Sequence, residues 1–192
     1  MKNKYLKQAI LFMLFLTPIL SYGQVAKWGI FAGTQVPFHA EFSNSKFHYT
    51  DNNNFNFGAQ LKVGYRLHGQ TGIGYMVHNR NITQSDIDSS TDIQNNYICI
   101  PFQIGFDLIH RDAFKFRMTG GISYRILAWV SPNDLDLKKS DFNVNNSDLF
   151  GGFGIMMNRI SLDVMCRHPF TPVMENMEKD KLTYWLTIGF FL

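Results

Sequence analysis

Residues 55–67 alternate between apolar and polar side chains without a break. Each odd position from Phe55 to Leu67 is apolar, and each even position is polar or glycine. Successive side chains of a β-strand point to opposite faces, so this period of two predicts a strand whose faces meet two different environments. The pattern recurs seven more times along the chain, which predicts an all-β fold with eight strands.

The connections between the predicted strands alternate in length. Tight turns are expected at residues 68–69, 110–112 and 158–159, and longer polar stretches follow the other strands. Short turns at one end and long loops at the other are typical of outer-membrane barrels, in which the turns and both chain ends face the periplasm. The predicted strands cover residues 25–38, 55–67, 71–80, 97–108, 114–130, 149–157, 160–170 and 182–192, and the long loops cover residues 39–54, 81–96, 131–147 and 171–181.

The two faces of the predicted strands differ in size as well as in polarity. The polar face combines long charged side chains with glycines such as Gly58, Gly72 and Gly105. An eight-stranded barrel has an interior only wide enough for side chains to fill, so long charged groups fit there beside small neighbours. The bulky apolar face suits lipid. We therefore predict an eight-stranded antiparallel transmembrane β-barrel, with a soluble lipocalin-like barrel of opposite polarity as the alternative.

The face that we assign to the interior carries an excess of basic residues. Because buried charges need partners, we expect these side chains to pair with each other, with tyrosines and with the backbone, and so to plug the barrel. A narrow anion-lined pore or a ligand-binding barrel is the alternative, for which the interior offers little room. The predicted interior polar network consists of Lys62, Arg66, Asp107, Arg117, Arg125, Asp163 and Arg167.

The first 23 residues have the features of a secretory signal peptide. Lysines at positions 2, 4 and 7 precede an apolar run over residues 9–20, and Ser21-Tyr22-Gly23 supplies small residues near a cleavage point. The apolar run is too short to span a bilayer as a helix, and a buried N-terminal helix is the alternative. We expect a cleaved signal peptide over residues 1–23 and one outer-membrane barrel domain over residues 24–192.

The charge balance argues against nucleic acid as a partner. The whole chain has 18 basic and 15 acidic residues, and the signal peptide contains three of the lysines and no acid. The mature chain is therefore balanced and has no basic stripe of the kind that nucleic-acid binding requires. We expect a monomer surrounded by outer-membrane lipid, with envelope or secretion-system proteins as candidate partners.

The chain contains no motif that indicates an enzyme, a cofactor or a metal. We find no P-loop, no GxSxG and no HExxH, and the histidines show no metal-ligand spacing. Cys99 and Cys166 fall on different predicted strands with opposite facing, which argues against a disulfide. We therefore predict a protein that is not an enzyme. The candidate residues for a catalytic site at the outer rim are His39 and His78, together with Ser43, Ser45, Ser85, Asp86 and Asp88.

Several strands also resemble a known family. The stretch from Tyr97 to Phe106, with Ile100-Pro101 at its centre, resembles the Y-x-E-I-P-x-x-x-K strand of the Bacteroidota outer-membrane β-barrel family that includes PorT-like proteins. Residues 120–124, 150–154 and 186–191 match in character. Cys99 replaces the usual acid before Ile-Pro, and Leu192 follows the aromatic that often ends such chains. The resemblance implies no common catalytic site and a role in protein secretion or envelope assembly.

Overall fold

The computed structural model describes residues 26–36, 41–43, 47–84, 89–174 and 182–192. The expected signal peptide lies outside the described residues. Among these residues no helix is long and apolar enough to cross a bilayer. The described elements are β1 (Ala26–Val36), β2 (Glu41–Ser43), β3 (Phe47–Asp51), β4 (Phe55–Gly64), β5 (Leu67–Gln84), β6 (Ser89–His110), β7 (Phe114–Val130), the 3₁₀ helix η1 (Lys139–Asp141), β8 (Asn145–Met157), β9 (Ile160–Pro169) and β10 (Thr183–Phe191).

Eight of these strands form a closed antiparallel ring. The ring runs β1, β4, β5, β6, β7, β8, β9 and β10, and it closes because β10 pairs with β1, with Gly29 opposite Phe191. Closure leaves no unpaired strand edge in the wall. A sheet in lipid needs this closure, because lipid cannot hydrogen-bond the backbone groups of an open edge. The predicted eight-stranded all-β barrel is confirmed.

The two ends of the barrel are built differently. Tight connections at residues 65–66, 111–113 and 158–159 form one end, which we call the turn end. The opposite end, the loop end, carries the longer connections. There β5 and β6 continue pairing as far as Gln84 and Ser89, and the β2–β3 hairpin adds to β5. Most of the stretch at 81–96 that the sequence predicted as a loop is therefore strand.

One predicted turn is displaced by three residues. The sequence predicted a turn at 68–69, but β4 ends at Gly64 and the chain reverses at Tyr65-Arg66. Gly64 has a φ of +125°, a conformation that residues with a Cβ rarely adopt, so the strand ends at this glycine. His68 then pairs with Gly64 across the turn and lies buried inside the barrel.

Polarity is inverted relative to a soluble protein. The outward positions of the ring carry large apolar side chains that are open to the surroundings, whereas charged side chains such as Lys62, Asp107 and Arg117 are buried. An exposed apolar surface that surrounds the whole ring is stable in lipid and not in water. The lipocalin-like alternative is therefore wrong. Outward examples are Trp28, Ile30, Phe57, Leu67, Ile73, Phe102, Ile104, Ile122, Phe153, Val164 and Ile188.

The loop end of the interior is filled by an apolar core. Met76, Tyr97, Leu127 and Trp185 point inward from four strands and pack with side chains from the loops. Phe142, from the β7–β8 connection, and Val173, from the β9–β10 connection, are part of the same cluster, and the backbone N–H of Asn143 donates to the carbonyl of Val173. The two connections are thus fastened to each other and lie over the loop end.

Candidate functional site in the barrel interior

A buried ion pair crosses the middle of the turn-end half. Arg117 on β7 and Asp163 on β9 are not on neighbouring strands, because Gly154 of β8 lies opposite both of them. Arg117 donates from Nε to Oδ1 of Asp163 at 2.9 Å and from Nη2 to Oδ2 at 2.7 Å. Two parallel charge-assisted bonds of this kind are the strong form of the arginine–carboxylate pair. The absence of a side chain at position 154 lets the two groups meet across a strand.

Gly154→Ala should therefore destabilise the barrel. A Cβ at position 154 would overlap Oδ1 of Asp163, and overpacking of this kind typically costs about 1–3 kcal/mol. Gly151→Ala is the matched control, because Gly151 lies on the outward face of the same strand and its added Cβ would be 3.6 Å from the nearest heavy atom, the Thr119 carbonyl oxygen. Urea unfolding in lipid vesicles measures both changes, and equal midpoints would contradict the assignment.

A second cluster lies close to the turn end around Asp107. This carboxylate is fully buried, with His110 Nδ1 2.7 Å from Oδ2, Lys115 Nζ 3.8 Å from Oδ2 and His68 Nδ1 3.9 Å from Oδ1. Lys62 is buried on the inner face of β4, which pairs with the His68 strand β5. The carboxylate thus offsets part of the positive charge of this end.

A third cluster joins the polar interior to the apolar core of the loop end. Arg125 on β7 lies 2.5 Å from Asp148 on β8, and Arg167 on β9 lies 3.6 Å from the same carboxylate. The Arg167 guanidinium also stands 4.9 Å from the centre of the Trp185 ring, within the range of a cation–π contact. Through these contacts the charges of the third cluster are held against the aromatic side chains above them.

Six residues of the predicted network face the interior, and the seventh does not. The six are distributed over the three clusters, whereas Arg66 is exposed in the turn after β4. Its Nε donates to the carbonyl oxygen of Asp107 at 3.0 Å, and its guanidinium lies 5.2 Å from the Phe106 ring. The prediction for Arg66 is wrong because Gly64 ends the strand two residues before it, so the alternation does not extend to position 66. The six interior residues are Lys62, Asp107, Arg117, Arg125, Asp163 and Arg167.

Sequence reasoning missed three members of these clusters, Asp148, His68 and His110. Asp148 falls between the predicted loop at 131–147 and the predicted strand at 149–157. It has the same parity as the inward residues Phe150 and Gly154, so extending the alternation by one residue would have found it. His68 and His110 were assigned to turns. No local signal identifies His68, because its facing depends on where the chain reverses at Gly64.

Between the clusters lies a small cavity of about 50 Å³, which both polar and apolar side chains line. Asn56 Oδ1, Gln70 Oε1 and Ser161 Oγ are buried atoms of its lining that have no protein hydrogen-bond partner. A cavity needs on the order of 10–15 Å³ for each water molecule, so this one has room for a few waters, which would satisfy such atoms. It is too small for an organic solute.

Metal ligands are not gathered in the described interior. Within the described ranges, no three His, Cys, Asp or Glu side chains are placed to hold a metal ion. His78 is buried, with Nε2 3.1 Å from the sulfur of Met76, and so does not lie open at the rim. Cys99 and Cys166 are both free, as the sequence predicted. The other rim candidates lie outside the described residues or, for Ser43, have a side chain that is not described: His39, Ser43, Ser45, Ser85, Asp86 and Asp88.

The same architecture occurs in a solved outer-membrane protein. The crystal structure of the outer membrane protein OprG from Pseudomonas aeruginosa matches with a TM-score of 0.53 and 13% sequence identity, over 88% of this chain and 96% of OprG. The chain has the fold of an outer-membrane β-barrel. No protein-family model and no curated protein matches it. The resemblance to PorT-like proteins therefore stays a prediction.

Proposed function

We propose that this chain is a structural or interaction protein of the outer membrane that acts through its surface, and that it is neither a channel nor an enzyme. The observation that carries the proposal is the filling of the interior. Ion pairs occupy its polar half, the core around Trp185 occupies the loop end, and the cavity between them holds about 50 Å³. A binding partner would therefore contact the outer surface of the barrel and its loops.

The filled interior argues against the anion-lined pore. Basic side chains that could attract an anion, such as Arg117 and Arg125, are engaged with Asp163 and Asp148. In planar bilayers we expect no single-channel conductance above background from the folded protein, with an open porin as the positive control. Reproducible unitary steps that are lost when the protein is denatured would contradict the proposal.

The loop end presents the surface best suited to a protein partner. There β5 and β6 form a long hairpin, β2 and β3 widen it into a four-stranded sheet, and the β7–β8 connection packs beside it. The side chain of Thr91 hydrogen-bonds the backbone N–H of Asp134 at 3.2 Å, which links the hairpin to that connection. The β2 and β3 strands of this platform lie outside the closed ring of eight strands.

The resemblance to PorT-like proteins favours secretion or envelope assembly as the process served. The test compares the surface and secreted proteomes of the parent strain, a deletion strain, and the deletion strain complemented with two forms of the chain. One form is the full protein, and the other replaces residues 83–90 by Asn-Gly, a pair that favours a two-residue hairpin turn and keeps Ile82 and Thr91 opposite each other.

We expect exported proteins to be lost in the deletion strain, restored by the full chain and not restored by the shortened hairpin. Heat-dependent mobility on gels verifies that the shortened form folds. An unchanged proteome in the deletion strain would refute the secretion role. Restoration by the shortened form would refute the role of the hairpin.

A further inference from the structure

The outward wall of the barrel has a groove across β10, β1 and β4. Its volume is about 600 Å³, within the range of about 300–1,000 Å³ that is usual for small-molecule pockets. Almost no polar surface lines it. Its main lining residues are Ile30, Ala32, Phe57, Ala59, Ile188 and Phe190.

Small residues in an otherwise bulky face produce this groove. Ala32 lies between Ile188 and Phe57 on the neighbouring strands, and Ala59 lies opposite Ile30. The large side chains stand as walls, while the two alanines leave the backbone between them uncovered. The floor is closed from within, because the ring of Phe31 fills the interior behind Gly58, where an added Cβ would lie 2.9 Å from it.

The position of the groove indicates which end its occupant enters from. Ile160 and Phe190 are cross-strand partners, and Ile160 is the first residue of β9, so the groove begins at the turn end of the wall. Arg159 precedes it in the turn and is exposed, and its carbonyl accepts the backbone N–H of Phe191. A cationic residue therefore lies in the turn next to the end of an apolar groove.

We infer that the groove binds one acyl chain of a phospholipid from the leaflet at the turn end, with its phosphate at Arg159. An acyl chain matches the apolar lining, whereas a peptide would leave its polar backbone unpaired against a wall whose own strands are already paired. The guanidinium complements a phosphate group. Trp28, also outward and near the turn end on β1, suits the lipid interface on the same side.

The test measures lipid that stays with the protein after extraction. The wild-type protein, purified from outer membranes in mild detergent, is examined by native mass spectrometry together with Ala59→Phe and Arg159→Gln. Gly120→Phe is the matched control, because Gly120 lies on the outward face of β7 and its added Cβ would have no heavy atom within 3.6 Å. Ala32→Leu is a second groove variant in case Ala59→Phe does not fold, as judged by heat-dependent gel mobility.

We expect one phospholipid mass on the wild type and on Gly120→Phe, at least a tenfold loss of that species in Ala59→Phe or Ala32→Leu, and a partial loss in Arg159→Gln. Equal retention in the groove variants would overturn the site. Retention of lipopolysaccharide instead of phospholipid would overturn the assignment to the turn-end leaflet. A dimer that is lost in the groove variants would show that a second copy of the chain occupies the groove.

Discussion

Arg117→Met should lower the free energy of unfolding of the barrel by about 3–5 kcal/mol, the usual cost of removing one partner from a buried ion pair. Methionine retains most of the side-chain volume but leaves the Asp163 carboxylate buried without its two guanidinium hydrogen bonds. The two side chains are only 2% and 5% exposed, so the stranded carboxylate is cut off from bulk solvent. Unfolding by urea in lipid vesicles, followed by tryptophan fluorescence, gives the change.

The matched control for this experiment is an ion pair at the loop end. Lys138 lies 3.2 Å from Asp136, but their side chains are 69% and 87% exposed, and exposed pairs contribute about 0–1 kcal/mol. Lys138→Met should therefore leave the midpoint almost unchanged. Adding Asp163→Leu to Arg117→Met should recover part of the loss, because it removes the stranded charge. Equal losses for Arg117→Met and Lys138→Met would contradict the interior assignment.

Trp185→Ala should lower the free energy of unfolding by a similar amount, about 3–5 kcal/mol, which is the range for truncating a large buried aromatic side chain. Trp185 is 1% exposed in the apolar core of the loop end and also carries the cation–π contact with Arg167. Its removal leaves a cavity that the closed ring of strands cannot collapse to fill.

Trp28→Ala is the control that separates interior packing from a general effect of losing a tryptophan. Trp28 is 62% exposed on the outward face, where lipid can fill the space that the ring leaves. We expect the smaller loss of stability from Trp28→Ala, measured under the same urea conditions. A loss equal to that of Trp185→Ala would mean that the core around Trp185 does not hold the barrel together.

The strands and their facing could be read from the sequence to within a few residues. β7 and β9 begin where the alternation predicted, and Arg117, Arg125 and Asp163 face inward as their parity required. A strand alternates because of the local geometry of its backbone, so this information is present in each segment without reference to the others. The same local signal predicted that Cys99 and Cys166 point to opposite faces.

The ladder around Pro101 shows how a local constraint acts in the closed sheet. Between the pairs Thr71–Phe102 and Gly74–Cys99 the pairing of β5 with β6 is interrupted, yet the register is the same on both sides of the gap. Proline has no N–H to donate, and the Pro101 carbonyl instead accepts from the Thr71 hydroxyl at 3.0 Å. The missing N–H therefore interrupts the ladder locally and leaves the register unchanged.

The sequence by itself determined the number of strands, the inverted polarity and most of the charged residues that point inward. Only the tertiary structure decided which charges meet. Arg117 reaches Asp163 across Gly154, and Asp148 contacts both Arg125 and Arg167. These contacts form because the register between adjacent strands determines which side chains lie side by side. The register of each strand depends on the pairing of the whole closed sheet. The groove at Ala32 and Ala59 depends on it too, because these residues lie on adjacent strands. The sequence of a single segment therefore predicts the face on which each side chain lies, but not the side chain that it contacts.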